Sequence, residues 1–132
     1  MLTNKILIPV STGELLDKIT ILKIKLGKIK DEEKIRLIKQ EFAVLEIELN
    51  KLEVEKNVKL KELFEKLMVV NKTLWEIEDN IRSQENQKKF DSEFIELARA
   101  VYHNNDKRST IKNEINSLTN SFIFEVKEYN TY

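Results

Sequence analysis

Hydrophobic residues recur three and four positions apart over most of this 132-residue chain, which is the spacing of one face of an α-helix. The most apolar stretch covers residues 5–29. From Leu15 to Ile29 its hydrophobic side chains fall on more than one side of the helix, and a helix of that kind is normally buried. Ser11 stands in front of it and Glu14 follows three residues later, a spacing typical of a capping box. We therefore predict a central, buried first helix that begins after Ser11.

A second helix is indicated after Asp31, an N-cap residue followed by two glutamates that suit the helix dipole. Its hydrophobic seam is Ile35, Ile38, Phe42, Leu45, Leu49 and Leu52. The seam loses its phase near residues 56–58, and a new one runs from Leu60 to Ile81. Since no glycine or proline lies there, one long helix with a phase slip is an alternative, but we favour a turn and therefore a long helix 2–helix 3 hairpin.

Two surfaces are expected to be exposed and apolar. The first is the tip of the hairpin, which the heptad count predicts to extend beyond the first helix, with Val54, Val58, Leu60 and Phe64. The second is the C-terminal segment, which is too aromatic and β-branched for a surface helix end and carries Phe122, Phe124 and Tyr129. Both are predicted interaction surfaces for a protein partner or for self-association.

The rest of the chain completes the predicted fold. Asp91 or Ser92 can cap a fourth helix, and the cluster Asn104, Asn105 and Asp106 predicts a turn before a fifth. Residues 5–10 and 121–127 are predicted to be short extended arms, which either pair with each other or pack on the helices. The expected fold is all-α: a single domain over residues 1–132, an antiparallel bundle of four or five helices around the central apolar first helix.

Composition excludes several classes of site. Lys plus Arg and Asp plus Glu both number 23, so the net charge is zero and no global positive field attracts nucleic acid, which we therefore do not expect as a partner. The chain has no cysteine, so disulfides and thiolate metal sites are excluded. Its two isolated glycines cannot form a phosphate-binding loop. Without a run of about 18 apolar residues or a secretion signal, we expect a cytoplasmic protein that does not insert into membranes.

Polar residues that fall on hydrophobic faces are the candidates for chemistry. Glu78 and Arg82 lie four apart on or beside the buried side of helix 3, where a charge must be paired. One interpretation is a structural network of ion pairs and hydrogen bonds between helices. The other is a pocket for an anionic or sugar-like ligand, in which arginine side chains supply the donors. The candidate ligand-binding residues are Trp75, Glu78, Arg82, Arg99, Tyr102, Asn105 and Arg108.

Catalytic and metal chemistry have less support in the sequence. Glu14 with Asp17, and Glu76 with Asp79, place two carboxylates on one helical face, the geometry by which helical bundles hold Mg²⁺ or Mn²⁺. Such pairs arise readily by chance in a chain with 23 acids, and the single histidine, His103, cannot form a multi-histidine site. We expect no cofactor, no catalytic residue and no committed metal site.

Four runs of the sequence are distinctive: I-P-V-S-T-G-E-L-L-D-K-I-T-I-L-K-I-K (8–25), L-W-E-I-E-D-N-I-R (74–82), F-D-S-E-F-I-E-L-A-R-A-V-Y-H-N-N-D-K-R (90–108) and I-K-N-E-I-N (111–116). They resemble an uncharacterised family of small helical proteins from bacteria and their viruses. The family is a domain of unknown function, with some members associated with sugar-transferring enzymes. The resemblance implies a complete family member and a context in surface-glycan biosynthesis, and it assigns no catalytic residue.

Two functions are therefore weighed. The regular heptads favour a small non-enzymatic interaction or assembly module. The alternative is a binder, less readily a metal-dependent hydrolase, of phosphorylated sugars or nucleotides.

Overall fold

A computed structural model describes residues 3–128 and 130–131, and in them the chain folds into four α-helices. These are α1 (Thr12–Lys28), α2 (Glu32–Lys51), α3 (Val58–Asn86) and α4 (Ser92–Leu118), with a short 3₁₀ turn, Val54–Lys56, between α2 and α3. No β-strand occurs among the described residues. The predicted all-α class is confirmed.

Each helix begins at a polar N-cap whose side chain accepts a hydrogen bond from a free backbone amide. Ser11 Oγ accepts from Glu14 N at 3.0 Å, and Asp31 Oδ1 accepts from Glu33 N at 2.9 Å. Asn57 and Asp91 cap α3 and α4 in the same way. Ser11 and Asp31 are caps that the sequence predicts, and of the two candidates for the cap of α4, Asp91 and Ser92, the structure uses Asp91.

Helix α1 lies at the centre, in contact with α2, α3 and α4. The best buried cluster joins three helices and consists of Leu16, Leu60, Leu63, Leu67 and Ile115. The prediction that Leu60 is exposed at the hairpin tip is therefore wrong. Helix α3 begins at Val58, so its first turn already packs on α1 and α4, and Val54 and Phe64 pack against the same cluster. Only Val58 of the four tip residues is largely exposed.

The turn between α2 and α3 is confirmed, although no glycine or proline marks it, and α2 packs on α1 rather than along α3. The chain leaves α2 at Leu52, and Glu53 adopts the left-handed conformation with φ 49° and ψ 51°. A left-handed residue just after a helix is a common helix stop, usually occupied by glycine or asparagine. The residue types at this turn are unusual for a turn. The phase break in the hydrophobic seam was therefore the sequence signal that predicted it.

The predicted turn at Asn104, Asn105 and Asp106 is wrong, because α4 runs through these residues without a break. Asn104 Nδ2 donates to the backbone oxygen of Ala100 at 2.8 Å, so its polar side chain is satisfied inside the helix. Helix α4 packs along α3 more extensively than any other two helices pack. This tertiary contact outweighs the local preference for a turn.

Both ends of the described chain are non-helical and expose apolar side chains, including Ile6, Leu7, Ile8, Phe122 and Val126. The arms meet where they leave the bundle, because Thr12 N donates to Ser121 Oγ at 3.1 Å. The proposed strand pairing between them is not observed in the described residues, and Tyr129 lies outside those residues. None of the described helices combines the length and the hydrophobicity that crossing a membrane requires.

Candidate functional site

An open cleft of about 580 Å³ lies between α1, α3 and α4. Its lining consists of Ile21, Asn71, Leu74, Trp75, Glu78, Asp79, Arg82, Asn105 and Arg108. Five of the seven residues predicted to bind a ligand line it, namely Trp75, Glu78, Arg82, Asn105 and Arg108. The structure thus brings together residues of α3 and α4 that the sequence analysis selected individually.

Two of the residues that line the cleft, Asn71 and Arg108, bind Asp17, a carboxylate of α1 that is only 1% exposed, and we call these two the cleft floor. Arg108 Nε donates to Asp17 Oδ1 at 2.8 Å, and Arg108 Nη2 donates to Asp17 Oδ2, so the pair is bidentate. This geometry uses two of the five N–H donors of a guanidinium group and fixes the orientation of the others. Arg108 is itself partly exposed and lines the cleft.

Two further polar side chains complete the environment of this carboxylate. Asn71 Nδ2 donates to Asp17 Oδ1 at 2.8 Å and to Thr20 Oγ1 at 2.7 Å. Thr20 in turn donates from Oγ1 to the backbone oxygen of Asp17 at 2.7 Å. Because Asn71 also lines the cleft, the buried hydrogen bonds connect directly to its surface. Asp17, Thr20, Asn71, Arg108 and Lys112 together are called the Asp17 network below.

Lys112 links the network to the C-terminal segment. Its Nζ donates to Glu14 Oε2 at 2.7 Å and lies 3.3 Å from both carboxylate oxygens of Glu125. It also lies 4.0 Å from Asp17 Oδ2. Glu14 was expected to close the capping box at Ser11, but its carboxylate binds Lys112 instead.

The ionised state of Asp17 is favoured by its partners. Burial alone would raise the pKa of this carboxyl, but the hydrogen bonds from Arg108 and Asn71 and the charges of Arg108 and Lys112 bring it below its ordinary value. The pKa of Arg108 is raised chiefly by its hydrogen bond to Asp17. The pair is therefore fully charged at neutral pH.

This lowered pKa makes acid stability a test of the network. Because the folded pKa of Asp17 is below the ordinary value of 3.8, the unfolded chain binds its proton first as pH falls. The stabilisation is thus complete only above about pH 5, where the unfolded carboxyl is ionised as well, and it is lost as pH falls through the folded pKa. We expect the free energy of unfolding, measured with urea between pH ~6 and pH ~2, to fall less steeply in Asp17→Asn than in the native protein. Parallel curves for the two proteins would contradict this.

The rim of the cleft offers both hydrogen-bond donors and acceptors around an aromatic ring. Asn71, Trp75, Glu78 and Arg82 follow one another at spacings of four, three and four along α3, which places them in one stripe. Glu78 and Arg82 are exposed, and they form no ion pair with each other among the described residues. Of the two interpretations left open for these residues, their exposure on the cleft favours the ligand pocket over a buried network between helices.

The other two predicted ligand residues lie outside this cleft. Arg99 Nε donates to Tyr102 Oη at 3.4 Å on the exposed side of α4. Of the two candidate metal pairs, Glu14 and Asp17 form ion pairs with Lys112 and Arg108. In the second pair, Asp79 lines the cleft and Glu76 does not. The described residues contain no group of three or more His, Cys, Asp or Glu side chains suited to a metal ion.

Sequence reasoning missed Thr20, Asn71 and Lys112, and it considered Asp17 only as a weak metal-ligand candidate with Glu14. The signal was present, because Asp17 and Thr20 interrupt a helix that is otherwise apolar on several sides. Asn71 likewise stands between Leu67 and Leu74 in the buried seam of α3. A polar residue at such a position needs a buried partner, but sequence alone does not show that this partner is Arg108, 91 residues away.

A larger groove of about 810 Å³ lies along α3 and α4, lined by Val69, Val70 and Ile111 with a border of charged side chains. It is less suited to specific recognition than the cleft, because the residues of the Asp17 network do not line it. A polar ligand in the cleft would meet donors whose positions are fixed by buried hydrogen bonds.

Comparison with known proteins gives one relationship. A family model described as a family of unknown function, DUF6165, matches residues 6–132. Neither the curated proteins nor the solved structures include a match. Because the family model covers nearly the whole chain, this protein belongs to the DUF6165 family of unknown function.

Proposed function

We propose that the cleft binds a small anionic, polyhydroxylated ligand of the phosphorylated-sugar or nucleotide-sugar class. The observation that carries the proposal is the bidentate hold of buried Asp17 on Arg108 at the cleft floor. Burying a charged pair costs free energy that a hydrophobic pair of similar volume would not cost. Ligand binding would explain why this cost is accepted, because the network orients an arginine toward an open cleft. Hydrogen-bond donors that are already oriented bind a ligand more tightly.

The balance of charge in the cleft favours a ligand with hydroxyl groups as well as an anionic group. The charge of Arg108 is already compensated by Asp17, so Arg82 is left as the main attraction for a phosphate. Glu78 and Asp79 beside it would repel a simple anion but accept hydrogen bonds from sugar hydroxyls. Trp75 supplies an apolar surface on which the C–H face of a sugar ring can pack.

Phosphorylated sugars are favoured over other ligands of mixed polarity by the resemblance to proteins associated with sugar-transferring enzymes. A role accessory to surface-glycan biosynthesis follows from that resemblance as part of the proposal. The proposal concerns binding and assigns no reaction.

The test is a thermal-melt screen of the full chain against sugar phosphates, nucleotide sugars, the same sugars without phosphate, and inorganic phosphate. A ligand at 100 times its dissociation constant stabilises the folded state by about 2.7 kcal/mol, which raises the melting temperature by roughly 5 to 10 °C in a protein of this size. We expect this rise with a phosphorylated sugar and a much smaller one with phosphate or sugar alone.

Calorimetric titration of a ligand found in this way locates the site. Arg82→Gln removes a charge-assisted hydrogen bond and is expected to weaken binding by roughly 10- to 100-fold. Arg99→Gln is the matched control, because Arg99 is an exposed arginine outside the cleft, and it is expected to bind like the native protein. Equal affinities of the two variants, or no stabilisation by any compound of the class, would refute the proposal.

An interaction module is the function that the regular heptads of the sequence favour. The exposed surfaces that support such a module differ in part from the predicted ones. At the hairpin tip Leu60 is buried, and Val54 and Phe64 are partly covered. Phe122 and Phe124 on the C-terminal segment are exposed. We propose assembly as a second function. An uncovered hydrophobic stripe on α2, described below, supports it more strongly than the hairpin tip does.

A further inference from the structure

Helix α2 carries a second hydrophobic stripe that the described residues leave uncovered. Leu37, Val44 and Ile47 are 52%, 41% and 61% exposed. At about 100° per residue, these three lie within about 80° of one another around the helix axis. The centre of this outer stripe is about 140° from the seam that packs on α1. A helix that is apolar on two opposite sides normally contacts a partner on both.

The charges at the two ends of the outer stripe have opposite sign. Glu33 lies four residues before Leu37, and Lys51 lies four residues after Ile47, both on the same side of α2. Two copies of α2 packed antiparallel about a two-fold axis near residue 42 would therefore bring Glu33 opposite Lys51 of the other copy. The same axis places Leu37 opposite Ile47. A parallel arrangement would instead bring equal charges together, which is unfavourable.

Neighbouring ion pairs extend this complementarity. Glu33 binds Arg36 at 2.6 Å, and Lys51 binds Glu48 at 2.9 Å, each within the same helix. In the antiparallel arrangement, the Glu33–Arg36 pair of one copy faces the Glu48–Lys51 pair of the other copy. Four charges therefore meet at each end of the contact. The contact can extend over the 20 residues of α2, or about 30 Å.

We propose that this protein forms a symmetric dimer by packing the outer stripe of α2 antiparallel against the same stripe of a second copy. The interface is isologous, as in most homodimers, because one self-complementary surface serves both copies. No residue of α2 lines the cleft, so both clefts stay accessible in the dimer. The dimer is therefore independent of ligand binding.

The first test is sedimentation equilibrium of the full chain from micromolar to millimolar concentration. We expect the native protein to dimerise and Ile47→Glu to remain monomeric, because the variant places a carboxylate in the apolar contact, opposite Leu37 of the other copy. Val58→Glu is the matched control, since Val58 is an exposed aliphatic residue at the hairpin tip, and it is expected to dimerise like the native protein. Both substitutions are at exposed positions, and circular dichroism checks that the helices are retained.

The second test determines the register and uses the absence of cysteine from the chain. Leu37→Cys and Ile47→Cys copies, distinguished by size tags, are mixed and oxidised. The antiparallel dimer is expected to give cross-links mainly between the two different variants. A native protein that is monomeric at every concentration, a Val58→Glu variant that dissociates as readily as Ile47→Glu, or cross-links mainly between identical variants would each overturn the proposal.

Discussion

Arg108→Met is expected to destabilise the protein by about 3 kcal/mol, because it leaves the carboxylate of Asp17 buried without its bidentate partner. Removing one member of a buried ion pair typically costs about 3–5 kcal/mol. We expect the lower end of this range, since Asn71 Nδ2 still donates to Asp17 and Lys112 Nζ lies 4.0 Å away. Methionine retains much of the volume of arginine, so the loss measures charge rather than packing. Urea unfolding at neutral pH gives the value.

Two comparisons separate this effect from a general sensitivity of α4. Arg99→Met changes an exposed arginine on the same helix and is expected to alter stability by less than about 0.5 kcal/mol. The double variant Asp17→Asn/Arg108→Met removes both charges and is expected to be more stable than the sum of the single effects implies, by about 1–3 kcal/mol. Additive effects, or a cost of less than about 1 kcal/mol for Arg108→Met, would show that the pair does not hold the cleft floor.

Gly13→Ala is expected to cost about 3 kcal/mol, although it adds only a methyl group to a helix. A Cβ at this position would lie 2.6 Å from the backbone oxygen of Lys112 and 2.9 Å from Asn116 Oδ1. The backbone oxygen belongs to α4 and cannot move aside without displacing that helix, so the cost falls at the upper end for an overpacked site. The added methyl group would also displace Asn116 Oδ1, which accepts a hydrogen bond from Gly13 N at 2.7 Å.

Gly27→Ala is the internal control for this prediction, because the second glycine lies in the same helix. A Cβ there would meet no atom within 4 Å. Alanine is favoured over glycine in a helix by about 0.5–1 kcal/mol, so this variant is expected to be stabilised. The melting temperatures of both variants, compared with that of the native protein, test this prediction. A Gly13→Ala protein as stable as Gly27→Ala would contradict the close approach of α1 to α4.

The helices could be predicted from the sequence where hydrophobic spacing and capping residues agreed. Ser11, Asp31 and Asp91 begin helices as predicted, and the phase break near residue 56 located the hairpin turn. The expected turn at Asn104–Asp106 failed because the packing of α4 along α3 outweighs the preference of asparagine and aspartate for turns. Leu60 was misplaced because a heptad count gives the face of a residue but not the neighbours that cover it.

The site was predictable in part. Arg82 and Arg108 were selected as donors from residue type and position, and the cleft contains both. Asp17 was considered only as a weak metal-ligand candidate with Glu14, because spacing along one helix shows only its local neighbours. Its contacts with Asn71 and Arg108 join residues 54 and 91 positions apart, and only the packing of three helices brings them together.

The central claim is that a phosphorylated sugar binds in the cleft, and the single tryptophan of the chain gives the most direct measurement. Trp75 lines the cleft, so its fluorescence reports on this site alone. Titration with the best compound of the thermal screen is expected to change the emission of the native protein to saturation, at the dissociation constant found by calorimetry. Arg82→Gln is expected to require roughly 10- to 100-fold more ligand for the same change. A compound that stabilises the protein but leaves the Trp75 emission unchanged would place binding elsewhere and contradict the claim.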